Sequence, residues 1–242
     1  MKFTKFSKCN SKNKINFNDF ELNIMSYKDA IKYDKRTILS YYNSLIKTKH
    51  PIIFSFCPIK DYNSIIIKID LFALYFSLHY FFNSLFFDEA VIHKIYEDEG
   101  IYNFIYLLPF ISYSFIISHT LYILIKYFSL SERNLYDIKN EKKLKEASDK
   151  VYKLSKILPI KYILFFVLGI LFQSFLWYFL SSFGAVYQNS QVYLFENTLI
   201  SLAFSLIYPF IINLIHGIIR IYSLKESKRE CLFKISKFIQ LI

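Results

Sequence analysis

Ser201, Ser205, Pro209, Asn213, His216 and Arg220 recur at intervals of three or four residues, so a helix through this stretch gathers its polar groups on one face. Hydroxyl, amide and imidazole groups on a shared face support two chemistries. One is a polar pathway in which His79, His119 and His216 relay protons. The other is hydrogen bonding between helices, in which Ser, Asn and His tie neighbouring spans together. The second is preferred, because no Asp or Glu lies deep in any apolar run. The three histidines are expected at different depths, His79 mid-span, His119 in the inner half and His216 near the inner end, without converging.

The segment DEAVIHKIYEDEG, residues 88–100, holds five carboxylates and His93. It lacks the alternating oxygen ligands and central glycine of a calcium-binding loop, so it reads as a solvated loop. Cys9, Cys57 and Cys231 have neither metal-site nor redox spacing. They read as ordinary thiols, with S-palmitoylation of Cys57 and Cys231 as the sharper alternative. No phosphate-binding loop, nucleophile elbow or zinc-protease motif is present. No catalytic residue, cofactor or metal is expected.

The elements that must position the stripe are four apolar runs at about residues 71–87, 101–127, 162–183 and 197–219. A bilayer core of about 30 Å needs about 20 apolar residues of helix. With 27 Phe, 21 Tyr, 54% apolar residues, and only four Gly and five Pro, the chain is predicted to form four transmembrane helices. Reading the runs as spans places 29 of the 30 Lys and Arg on one side and leaves Lys94 alone on the other. Basic residues stay cytosolic, so both termini are expected in the cytosol, at a membrane the sequence does not specify. The net charge of +11 is therefore assigned to membrane orientation rather than to nucleic acid. Lys68 and Asp70 are expected at the headgroups.

Outside the spans, residues 1–26 are rich in Lys, Asn and Ser and read as disordered. Residues 28–49 read as one basic amphipathic helix, ended by His50-Pro51. The run PIIFSFCPI, residues 51–59, is too short to span; it is expected to dip into the interface or cap the bundle. Residues 131–156 read as a helical hairpin or an extension of the second span. Residues 224–242 read as a second basic amphipathic helix, its apolar face formed by Leu224, Cys231, Leu232, Ile235, Phe238, Ile239 and Ile242. Lys35, Arg36, Lys47, Lys228, Arg229, Lys234 and Lys237 are the candidate lipid-contact residues.

The wording DKRT, KTKHPIIFSF, DYNS and HKIYED, within residues 33–134, resembles a recurrent region of uncharacterised multi-pass membrane proteins of AT-rich protists, ciliates in particular. The resemblance implies a membrane protein and no activity, so no site residue is carried over from it.

The expected architecture is all-α: an integral membrane four-helix bundle with flanking interfacial amphipathic helices. It divides into a basic N-terminal region (1–64), a four-span domain (65–223) and a basic tail (224–242). The expected role is non-catalytic, organising lipid or partner proteins at the cytosolic membrane face. The alternative is a channel or transporter subunit using the fourth span. Expected partners are the anionic lipids of the cytosolic leaflet, with protein partners or further copies of the chain also possible, and no nucleic acid.

Overall fold

The computed structural model describes residues 17–58, 61–99, 101, 103–139, 141, 143–225 and 229–240. Among these the chain forms eleven α-helices and one 3₁₀ turn, with no strand. Four helices are long and apolar enough to cross a membrane: α5 (Ile65–Phe86), α7 (Phe104–Ser129), α9 (Leu144–Val186) and α10 (Gln191–Leu224), the last preceded by the 3₁₀ turn Gln188–Ser190. The protein is an all-α, integral membrane four-helix bundle. One end of it is basic and the other acidic, as the charge pattern requires.

The spans are longer than the apolar runs because helix formation continues into charged sequence wherever no breaker intervenes. α9 is the extreme case. Its 43 residues make a rod of roughly 65 Å, about twice the hydrocarbon core, so residues 144–160 project beyond the basic end. Residues 131–156 do not extend the second span: the short α8 (Glu132–Lys139) folds back on the N-terminal part of α9, a helical hairpin whose second arm continues into the third span. Pro159 lies within this rod at the cost of one backbone hydrogen bond.

The spans alternate in direction, and α5 is the central one, with a buried face running from Ile67 to Ser84. α9 is peripheral, burying only Leu176, Leu180 and Phe183. Gly169 of α9 faces α5: a Cβ there would stand 3.5 Å from Asp70 Oδ2, an ordinary contact. That oxygen is buried and has no hydrogen-bond partner, so Asp70 faces a neighbouring span and not the headgroups alone.

At the acidic end, α6 (Glu89–Glu97) starts from an Asp88 cap and lays Val91, Ile92 and Ile95 on Leu107, Ile111, Phe183 and Leu194. The loop segment of the sequence reading is thus mostly a helical cap over the bundle.

At the basic end, short helices surround α10. α1 (Asp19–Ile24) opens with a reciprocal capping box between Asn18 and Glu21, so order begins inside the segment expected to be disordered. Residues 1–16 lie outside the described residues. The single helix expected over 28–49 is two, α2 (Tyr27–Tyr33) and α3 (Ile38–Lys49), because Asp34 to Thr37 adopt extended backbone and Thr37 caps a new helix. α4 (Pro51–Phe56) follows, with Pro51 in its first turn, where a missing N–H costs nothing. α11 (Glu230–Ile239) returns along α10. It docks through Phe233 and Ser236, leaving Cys231, Ile235 and Phe238 of its expected apolar face exposed.

Candidate functional site

All the stripe residues of α10 are buried: Ser201, Ser205, Pro209, Asn213, His216 and Arg220. Their partners come from different parts of the chain. His79 of α5 takes both serines, with Nδ1 2.8 Å from Ser201 Oγ and Nε2 2.8 Å from Ser205 Oγ. Ser205 Oγ also lies 3.0 Å from the Ser201 carbonyl. One proton arrangement satisfies all three contacts. Ser205 donates to the carbonyl, His79 Nε2–H donates to Ser205, and Ser201 donates to His79 Nδ1. The Asn213 amide donates to the Pro209 carbonyl at 2.7 Å.

Lower on α10, His216 Nε2 lies 3.2 Å from the Tyr41 hydroxyl of α3. Burial pushes the Tyr41 phenol up, against the pull of Arg220 and Arg36, so it stays a hydrogen-bond donor. Arg220 Nη2 donates to the Leu22 carbonyl at 2.9 Å and stands 3.6 Å from Asp34 Oδ2. Asp34 is also gripped by Arg36 through two parallel bonds, Nε–Oδ1 and Nη2–Oδ2, each 2.8 Å. Arg36 Nη1 reaches Asn23 Oδ1 at 3.0 Å and Ser44 Oγ at 3.2 Å. Arg220 Nε and Nη1 have no hydrogen-bond partner, but the guanidinium carbon lies 5.2 Å from the Tyr41 ring centre and 4.7 Å from that of Phe233. Aromatic faces therefore take the place of acceptors around a buried cation.

The histidines separate into two groups. His79 and His119 meet at Tyr75, whose hydroxyl lies 3.0 Å from His119 Nδ1 and whose ring centre is 4.7 Å from that of His79. His216 belongs to the other group, at the basic end with Tyr41. The expectation of three separate histidines thus gives way to a pair and a single. Among the described residues, no three His, Cys, Asp or Glu side chains come together as a metal-binding group. Two surface hollows, of about 340 and 700 Å³, lie toward the acidic end beside Tyr96 and beside Trp177; no residue of the stripe lines either one.

The candidate lipid-contact residues divide sharply. Lys35, Lys47 and Lys234 are exposed. Lys35 bonds the Ile31 carbonyl and Lys234 pairs with Glu230, both on the surface. Arg36 is committed to Asp34, and Lys237 turns inward to the Ile24 carbonyl and the face of Phe233. Arg229 lies over Tyr222 at 4.0 Å, and Lys228 is outside the described residues.

A second charged cluster joins the spans to the short helices. Lys68 pairs with Asp61, both nearly enclosed, and Lys126 donates to the Thr48 carbonyl at 3.0 Å. Both amines lie over the ring of Phe54, at 4.9 and 3.8 Å. Glu132 at the start of α8 is buried beside them. Burial, reinforced by the Asp61 carboxylate, pushes it up to about 7 against the pull of Lys126, Lys68 and Asn63. Farther out, Glu21 accepts from Lys139 at 2.6 Å and from the Tyr62 hydroxyl at 3.0 Å. Burial alone would raise this carboxyl, but Lys139, the Asn18 backbone and Tyr62 outweigh it and hold it below its ordinary range. None of Asp34, Tyr41, Asp61, Glu132 or Glu21 stood out by spacing: beside the local contacts of Asp34 with Arg36 and Glu21 with Asn18, the partners that build these clusters come from other segments.

No known protein family, curated protein or solved structure matches the chain.

Proposed function

We propose that the protein is a non-catalytic, multi-pass membrane component that organises lipid or partner proteins at the cytosolic face of its membrane. The observation that carries this reading is the use to which the α10 stripe is put. Ser201 and Ser205 are committed to His79, His216 to Tyr41, and Arg220 to Leu22 and Asp34. A conducting pathway needs such groups free to meet water or an ion. Here they hold spans together and fasten α1 to α3 onto the bundle, as interhelical polar contacts do.

In this reading the basic end is cytosolic, because the sequence segments assigned to that side carry 29 of the 30 basic residues. The assembled N- and C-terminal helices are then the working surface, with Lys35, Lys47 and Lys234 directed to anionic lipid or an acidic partner. The likeness to multi-pass proteins of AT-rich protists belongs to the same proposal.

The test is ion flux from liposomes carrying the purified full-length protein. The expected result is flux no greater than that of empty liposomes. Robust flux that disappears in His216→Leu would replace this reading with that of a channel or transporter subunit built on the fourth span.

A further inference from the structure

The last charges of the four spans at the basic end are Lys68, Lys126, Lys161 and Arg220, with Asp70 just beyond Lys68. They mark where the hydrocarbon begins. α3 rises to that level from the Arg220 end. It starts beside Arg220, where Tyr41 stacks, and climbs α10 until Tyr42 donates to the Phe210 carbonyl at 3.4 Å and the His50 ring lies 4.8 Å from that of Phe210. His50 also bonds the Leu206 carbonyl, one turn deeper. From Arg220 to Phe210 is about 15 Å of helix rise. Lys126 bonds the Thr48 carbonyl and, with Lys68, lies over Phe54, so the upper ends of α3 and α4 stand at the level of the α5 and α7 charges, at the hydrocarbon edge.

α4 then lies across the bundle. Phe54 plugs between the spans against Leu71, Tyr75 and Tyr122, while Phe56 stacks on Phe72 at 5.2 Å and leaves half its surface open. The chain returns to the charged level at Asp61, paired with Lys68. α11 rises beside α3: Phe233 stacks on Arg220, and the Gln240 carbonyl accepts a hydrogen bond from Lys49 at the top of α3. Two interfacial elements therefore flank α10 and are joined at their upper ends.

Both elements show apolar side chains outward, Leu39, Ile52 and Phe56 on one and Ile235 and Phe238 on the other. Through the Phe56–Phe72 stack this surface adjoins the outward face of α5 at Ile65, Ile66 and Ile69; the exposed Lys47 and Lys234 lie on α3 and α11, and Lys35 in the link before α3. Apolar surface continuous with a spanning helix and accompanied by lysines matches acyl chains beneath anionic headgroups. Among the described residues the acidic end has no such helix pair: α6 buries Val91, Ile92 and Ile95 and exposes Glu89, His93 and Glu97 beside Tyr96.

We infer that the α3–α4 hairpin and α11 insert into the leaflet at the basic end alone, giving the protein a wedge shape whose preferred partner is a strongly curved, anionic lipid surface, convex on that side. Helices of roughly 10 Å diameter, added to one leaflet only, expand it relative to the other. This deepens the lipid branch of the proposed function and rests on it.

The experiment reconstitutes the full chain into phosphatidylcholine vesicles containing a minority of phosphatidylserine, offered as a mixture of small and large sizes. The protein density per unit area is expected to be several-fold higher on the small vesicles, and the enrichment is expected to vanish in the Phe56→Ser, Phe238→Ser double variant. Equal densities, or an enrichment unchanged in that variant, would overturn the inference. A second measurement does not depend on the variant folding normally. Nitroxide labels at Phe56→Cys and Phe238→Cys, with the native cysteines replaced by serine, are expected to be reached by lipid-soluble oxygen and shielded from aqueous quenchers. Labels open to water, or disulfide capture of Phe238→Cys by a second copy, would overturn it as well. Ion flux from the same vesicles would sink the scaffold reading separately, leaving the size preference to be judged by its own ratio.

Discussion

The Asp34 carboxylate lies 3.6 Å from the Arg220 guanidinium, and both side chains are fully enclosed. With Arg36 bound to the same carboxylate, one buried anion holds the N-terminal helices to the end of the fourth span. Removing one partner of a buried ion pair leaves an uncompensated charge and costs about 3–5 kcal/mol. Asp34→Asn is therefore expected to lower thermal stability in detergent by that order and to open α1 and α2 to protease before the spans unfold. Wild-type melting and wild-type protease resistance in this variant would remove the pair from its structural role.

His79, Ser201 and Ser205 should behave as one unit. Interhelical hydrogen bonds inside membrane proteins are worth about 0.6 kcal/mol on average and up to about 1.7. His79 makes two at 2.8 Å, so His79→Leu is expected to cost about 1–2 kcal/mol. In a double-mutant cycle with Ser205→Ala, the two losses should be clearly non-additive, because the second mutation removes a bond already broken. Strict additivity would show that these side chains do not share the bond.

Glu132 gives the protein a pH dependence whose sign is fixed. Its carboxyl is raised from 4.5 to about 7 in the folded state, so folding binds a proton between those values. The stability this gives is complete below pH 4.5 and is lost as pH rises through 7, by an amount on the order of 2–3 kcal/mol. Unfolding in detergent should accordingly show a loss of stability from pH 5 to pH 7.5, and Glu132→Gln should flatten that slope. The same slope in the variant would assign the effect to another group.

The proposed orientation rests on the charge asymmetry and can be read by labelling. Asn189, in the 3₁₀ turn before α10, and Cys231, exposed on α11, lie at opposite ends of the bundle. Applied to the side opposite the basic end, at the cell surface or in sealed membrane vesicles that expose that side, an impermeant thiol reagent should label Asn189→Cys, and should reach Cys231 only once the membrane itself is permeabilised. Labelling of both positions from one side would overturn the four-span arrangement.

Much of the local order is written in the chain at short range. Apolar runs locate the spans, because a helix in lipid satisfies its own backbone and needs only sufficient length. The spacing from Ser201 to Arg220 puts those residues on one face, because the helical period is 3.6 residues wherever the helix goes. The break at Asp34 to Thr37 escaped the same reading, since a pattern at 3–4 spacing can run through a capped interruption without a visible fault. The face by which α11 docks escaped it too. Phe233 and Ser236 are inward because Arg220 and α10 are there to receive them, and the more continuous stripe of Ile235 and Phe238 is left outside. Tertiary structure alone decided that Arg220 meets Asp34, that Tyr41 meets His216, and that His79 and His119 share Tyr75. A residue's helical face depends on its immediate neighbours in sequence. The partner of a buried polar group depends on which distant segment the fold brings within about 3 Å, the reach of a hydrogen bond.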